Sequence, residues 1–188
     1  FKVLVAVLPA MLVGLPLDDW MTEHLHNPPV VAAMLILYGV LFIVVESSPR
    51  RVKMATVESL SWATAFGIGL FQVLSLVPGT SRSGATILGG ILLGCSRTLA
   101  AEFTFFLAIP VMAGASLIKL LKFGFSSSAA ELAVLGVGML TAFVVSMLSI
   151  RFLMNYVKRH DFKVFGWYRI VLGAIVLAYF FLLKPMLG

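Results

Sequence analysis

Apolar residues run along this chain in long blocks, broken by short clusters of charge, rather than alternating with polar ones. A helix needs about 20 residues to cross the hydrocarbon of a bilayer, with about 17–25 the usual range. Residues 1–17, 27–45, 103–121, 132–150 and 165–183 each satisfy that length, with Lys119 and Arg169 near enough to the ends to snorkel. The pattern predicts about five transmembrane helices.

Residues 59–96 break the pattern. Their first half, 59–77, is long enough to span, but the second, 85–94, offers about 15 Å of helix at about 1.5 Å per residue. Charge settles how such a segment runs. Arg50, Arg51 and Lys53 cluster in one loop and Lys158, Arg159 and Lys163 in another, whereas the loop at 18–26 carries Asp18, Asp19 and Glu23 without Lys or Arg. The positive-inside rule places the two basic loops in the cytoplasm, and the loops at 18–26 and 126–131 outside, leaving Lys184 as a mild exception. Counting spans between the basic loops, 59–96 must enter and leave on the same face. A re-entrant hairpin is expected, with a broken turn at 77–84 near mid-membrane.

Composition agrees. The 188 residues are 61% hydrophobic and 12% charged, with a mean hydropathy of +1.06, whereas soluble domains have about 45–50% apolar and about 25% charged residues. The chain reads as all-α and integral to the membrane, one membrane domain over 1–188 with the hairpin at 59–96. The net charge of +6 marks membrane edges, so no nucleic-acid partner is expected. Cys95 is the single cysteine, which excludes an internal disulfide and a cysteine metal cage and suggests a packing role. Phe1 leads into an apolar run without a cleavable-signal pattern, so the chain is expected to be a fragment that begins just before a spanning helix.

The hairpin tip carries the chemistry. It reads Pro78-Gly79-Thr80-Ser81-Arg82-Ser83-Gly84-Ala85-Thr86. Pro78 ends the incoming helix, and Gly79 and Gly84 open backbone angles closed to other residues. Non-helical backbone at depth in a bilayer survives only inside protein or beside a water-filled cavity. A helix starting near Ser83–Gly84 would aim free N–H groups and its positive dipole end into the turn, where Arg82 adds a planar fork suited to phosphate oxygens. An arginine at the centre of a membrane helix costs about 2.5–3.5 kcal/mol on insertion scales, so it should face a cavity and a partner. The alternative is structural, with Arg82 on carbonyls or a buried carboxylate and the hydroxyls capping helix ends.

This string, with Phe71-Gln72 before it and Glu102-Phe103 and Ala108-Ile109-Pro110 after it, resembles the second signature of the undecaprenyl-diphosphatase family, the bacitracin-resistance proteins. The resemblance covers essentially the whole chain, taken as the C-terminal two-thirds of a family member. It implies a phosphatase in the bacterial cytoplasmic membrane that converts undecaprenyl diphosphate to undecaprenyl phosphate, recycling the carrier for cell-wall synthesis. It further implies an inverted-repeat fold and an active site opening to the outer, periplasmic face. On that footing Arg82 and Ser81 are the candidate catalytic residues, and Gln72, Thr80, Ser81, Arg82, Ser83, Gly84 and Thr86 the substrate-binding set.

The family's earlier signature, a spaced pair of glutamates followed by serines and a histidine, is absent from this sequence. The resemblance therefore implies that the base and the carboxylates for a divalent cation (Mg or Ca) lie in a missing N-terminal re-entrant repeat. No metal ligand is assigned within this chain, which is expected to be incomplete as a catalyst, and a homodimer is left open. Half of an inverted-repeat transporter or flippase for a phosphate-bearing lipid or anion would need the same tip. Among other polar residues, Gln72 suits either a phosphate or a neighbouring helix, and Glu102 either its own helix dipole or Arg97. His24 and His26 read as a solvated loop, His160 as part of the basic edge, and Trp20, Trp62, Trp167 and Tyr168 as interfacial anchors.

Overall fold

The structure, a computed structural model, describes residues 1–49, 51–123 and 129–183. Arg50, Lys184 and residues 126–128 of the expected outer loop lie outside the described residues. Among the described residues seven α-helices follow in order: α1 (Lys2–Leu25), α2 (Pro28–Ser47), α3 (Trp62–Val73), α4 (Arg82–Leu92), α5 (Arg97–Phe123), α6 (Ala129–Val157) and α7 (Lys163–Ala178). A 3-10 turn, Leu74–Leu76, extends α3, and a π turn, Tyr179–Leu183, extends α7.

Four helical stretches are long and apolar enough to cross a membrane: Pro28–Ser47, Arg97–Lys119, Ala130–Val157 and Lys163–Phe181. They overlap four of the five expected spans. The fifth falls in α1, whose apolar part, Lys2–Gly14, is shorter. This helix continues past Pro9 and Pro16 to Leu25, so most of the expected outer loop at 18–26 is helical instead. The break before α2 comes from Asn27, whose side chain accepts the Val30 N–H at 3.0 Å, and from Pro28, preset for a helix's first turn.

The packing fixes relative direction. α2 and α7 run antiparallel in close contact, because Gly39 meets Gly166 and Gly173 meets Ala32 with no side chain between the backbones. α1 and α3 run parallel: the Lys2 ammonium donates to the carbonyls of Val57 and Glu58, Gly69 lies on the Ala6 backbone, and Gly14 meets Leu76. α5 beyond Pro110 and nearly all of α6 present apolar side chains outward, as lipid-facing helices can. The fold is that of an all-α integral membrane protein.

Between α2 and α5 the chain folds into a helical hairpin. At 12 residues α3 measures about 18 Å and, with about 2 Å per residue for its 3-10 extension, about 24 Å. α4, at 11 residues, measures about 16 Å. Neither reaches the roughly 30 Å of a hydrocarbon core. The incoming arm is therefore shorter than expected from 59–77, because Ser61 caps α3 by accepting from Thr64 N–H. At the base, Lys53 and Met54 donate their N–H groups to the Gly94 carbonyl and Ser96 donates to Met54. Arg97 grips the Glu46 carboxylate, its Nε at 2.8 Å, so Arg97 pairs with Glu46 rather than Glu102. The tip meets α2 at Val31. The 31-to-46 stretch of α2 measures about 22 Å at about 1.5 Å per residue, so the turn reaches past the middle of that helix instead of stopping halfway.

Candidate functional site

The tip is built by residues that cannot continue a helix. Thr80 N–H donates to the Val77 carbonyl at 3.2 Å, closing a tight turn across Pro78. Gly79, at φ +91°, rests on the Val31 backbone, and an added Cβ would lie 2.8 Å from the Val31 Cα. Ser81 follows at φ +64°, the one described non-glycine residue with positive φ. It caps α4: its Oγ accepts the Gly84 N–H at 3.3 Å and lies 3.2 Å from the Ser83 hydroxyl. The helix therefore starts at Arg82, just ahead of the expected start near Ser83–Gly84. Its first N–H groups, which have no carbonyl one turn back, face the turn.

Of the seven candidate binding residues, Ser81, Arg82 and Ser83 are accessible at this tip. The other side chains point inward. Thr86 is buried, with its hydroxyl donating to the carbonyl of Arg82 at 3.0 Å or of Ser83 at 3.2 Å and accepting from Thr104 at 2.9 Å. Thr80 and Gln72 are also buried, and neither Thr80 Oγ1 nor Gln72 Oε1 has a partner among the described residues. Gly84 lends space instead of a donor, since a Cβ there would lie 3.1 Å from a guanidinium nitrogen.

That guanidinium belongs to Arg169. Instead of snorkelling to an edge, it reaches across from α7, donates from Nη1 to the Thr80 carbonyl at 2.9 Å, and lies 5.9 Å from the centre of the Phe42 ring. Gly166 and Gly173 mark the face of α7 packed on α2, and Arg169, three residues after the first, shares that face, although only the packing shows that this face meets the tip. Thr104 had no comparable signal, being a single hydroxyl in an apolar block. The site thus holds two half-buried arginines, two accessible serine hydroxyls and a helix N-terminus, and neither arginine pairs with a carboxylate among the described residues.

This donor set does not fit a divalent cation. Mg and Ca are held by oxygen ligands, carboxylates above all, whereas this tip presents positive charge and N–H groups. Among the described residues no group of three His, Cys, Asp or Glu side chains gathers to hold a metal. His24 bonds the Trp20 carbonyl at 3.0 Å and stacks on its ring. What the tip suits is an anion.

The family model for the bacitracin resistance protein BacA matches residues 1–175. The chain belongs to the BacA family. It is 60% identical over 179 residues to the undecaprenyl-diphosphatase of Enterococcus faecalis, covering 94% of this chain and 65% of that protein. To the undecaprenyl-diphosphatase of Lactiplantibacillus plantarum it is 59% identical over 187 residues, covering 97% of this chain and 68% of the relative. The chain spans about two-thirds of the length of the curated relatives it matches. This BacA-family chain shows the tip motif on a hairpin docked against α1, α2 and α5, with Arg169 of α7 at its tip.

Proposed function

We propose that this chain carries the diphosphate-binding hairpin of a phosphatase that removes the terminal phosphate of undecaprenyl diphosphate. One observation bears most of the weight: two guanidiniums, Arg82 at the start of α4 and Arg169 on α7, lie at one hairpin tip without a paired carboxylate among the described residues. Two uncompensated half-buried charges are costly unless the ligand supplies the counter-charge. A diphosphate does so. The names of the relatives point to the same substrate.

In this reading Arg82 binds phosphate oxygens with its planar fork, while the Ser81 and Ser83 hydroxyls and the first N–H groups of α4 orient the group. Together they stabilise the charge that grows on the phosphoryl oxygens during transfer. The prenyl tail lies among apolar helix faces. A base comes from outside the residues at this tip, and a divalent cation belongs to the proposal as a companion of the diphosphate, not as a ligand of these side chains. The turn sits far from the basic loops, which supports a site opening to the outer face of a bacterial cytoplasmic membrane.

The test is phosphate release from undecaprenyl diphosphate by the purified full-length protein, with and without divalent cations. Arg82→Ala should abolish it, and Arg82→Lys should fail nearly as badly, because an ammonium cannot form the bidentate pair. Release at the unsubstituted rate by either variant would overturn the reading.

A further inference from the structure

The tip is held by another element as well as by its own turn and cap. Arg82 and Ser83 open α4, and their carbonyls are engaged by the Thr86 hydroxyl one turn further on. Thr86 is 1% exposed and Thr104 6% exposed, so the bond between their hydroxyls is sealed from solvent. A threonine hydroxyl in a helix can rotate among several staggered positions. Here the choice is made from another element: Thr104 of α5 donates its proton to Thr86 Oγ1 at 2.9 Å, which leaves the Thr86 proton to the carbonyls of Arg82 and Ser83. A relay of hydroxyls therefore runs from α5 to the backbone of the residue that bears the site's guanidinium.

The surroundings leave few other ways to set that turn. Thr104 is flanked by Phe103, which is fully buried, and Leu107, which is 1% exposed, so water does not substitute for the missing partner. Gly84 and Ala85, on the turn between Arg82 and Thr86, have no side chain able to bond across to α5. Gly90 approaches Ala100 further down the same interface, so α4 is in contact with the first turns of α5 and a displacement of Thr104 is felt at Thr86.

We propose that Thr104 is a positioning residue for anion binding, acting through Thr86 on the backbone that carries Arg82. The proposal rests on the diphosphate-binding reading of the tip. Its consequence is a loss in substrate affinity on removal of a hydroxyl that never meets the substrate. Losing one net hydrogen bond corresponds to about a two- to tenfold change in an equilibrium constant. Thr104→Val, which keeps the side chain's shape, should raise KM for undecaprenyl diphosphate by that factor and leave kcat within about twofold. Thr104→Ser should restore the unsubstituted KM. Because Thr104 acts only through Thr86, the double variant Thr86→Val with Thr104→Val should match Thr86→Val alone rather than multiply the two losses.

Hydrogen exchange across residues 82–88 supplies a readout independent of turnover. Thr104→Val should speed exchange there and leave the exposed helix α6 unchanged. An unchanged KM together with unchanged exchange in 82–88 would overturn the role of Thr104, as would losses that multiply in the double variant or a failure of Thr104→Ser to rescue. Absence of phosphate release from the unsubstituted full-length protein would instead remove the phosphatase reading. In that event the Thr104 proposal would be decided by the affinity for added inorganic diphosphate, measured with the same variants, and equal affinity across them would overturn it.

Discussion

Ser81 combines two properties that one substitution can separate. Its φ of +64° is a conformation that costs a non-glycine residue about 1–3 kcal/mol, while its hydroxyl caps α4 and faces the turn. Ser81→Ala keeps the backbone cost and loses the cap, worth about 0.5–2 kcal/mol, which is a fall of roughly 2–4 °C per kcal/mol for a chain of this length. Ser81→Gly loses the same hydroxyl but frees the backbone, and its melting temperature should equal or exceed that of the unsubstituted protein. Both should lose diphosphate affinity alike. If affinity follows melting temperature across the pair, the hydroxyl has no role beyond capping. Arg169 separates charge from shape in the same manner: Arg169→Lys retains the charge but gives up the fork that spans Thr80 and Gly84, and weaker substrate binding at unchanged melting temperature is expected. Equal affinity would show that charge alone suffices. The sequence revealed Arg82 through its neighbours, because Pro, Gly and hydroxyl residues around a deep arginine describe a turn without reference to anything distant. Arg169 lies 87 residues further on, and its place at the tip depends on how α7 crosses α2, which no local pattern states.

The hairpin is one element with two constraints, a tip that must touch α2 and a base that must stay closed. At the tip, Gly79→Ala would push a methyl into the Val31 backbone at a positive φ, so both sterics and conformation oppose it. Its melting temperature should fall well below that of Gly114→Ala, where nothing lies within 4 Å and alanine favours the helix by about 0.5–1 kcal/mol. Equal melting temperatures would mean that the tip does not rest on α2. At the base, Cys95 is 3% exposed and bridges to Met54, and burial pushes its thiol up to about 11. Since the thiolate is the reactive form, the folded protein at pH 8 should resist a maleimide that labels it readily once unfolded in detergent. Labelling at equal rates in both states would show that the base opens. The element's existence was legible because 85–94 is too short to span, a matter of length alone. Its depth was not, because the level of the turn is set by where Gly79 finds a partner on α2.

At the scale of the whole molecule, parity and packing agree. Lys2 sits beside Val57 and Glu58, Glu46 beside Arg97, and Lys163 within 3.7 Å of Asp161, and the antiparallel α2 and α7 bring these groups to one end of the bundle. Lys158 and Arg159 leave α6 at that end, and Arg51 and Lys53 lie beside the start of α5. The short segment between α1 and α2, near His24 and His26, lies at the other end and carries no Lys or Arg. Under the proposed function, positive loops are retained in the cytoplasm during insertion and the tip, which reaches toward the far end, opens to the outer face. A cysteine introduced by His24→Cys in a Cys95→Ala background should react with a membrane-impermeant maleimide on intact cells, whereas one introduced by Lys158→Cys should react only after permeabilisation. The opposite result would place the hairpin tip toward the cytoplasm. Labelling of both in intact cells would mean a mixed population of orientations, and a single outward-facing site would then have to be abandoned. Because both loops belong to the same helical bundle, the two positions act as each other's control for folding and insertion.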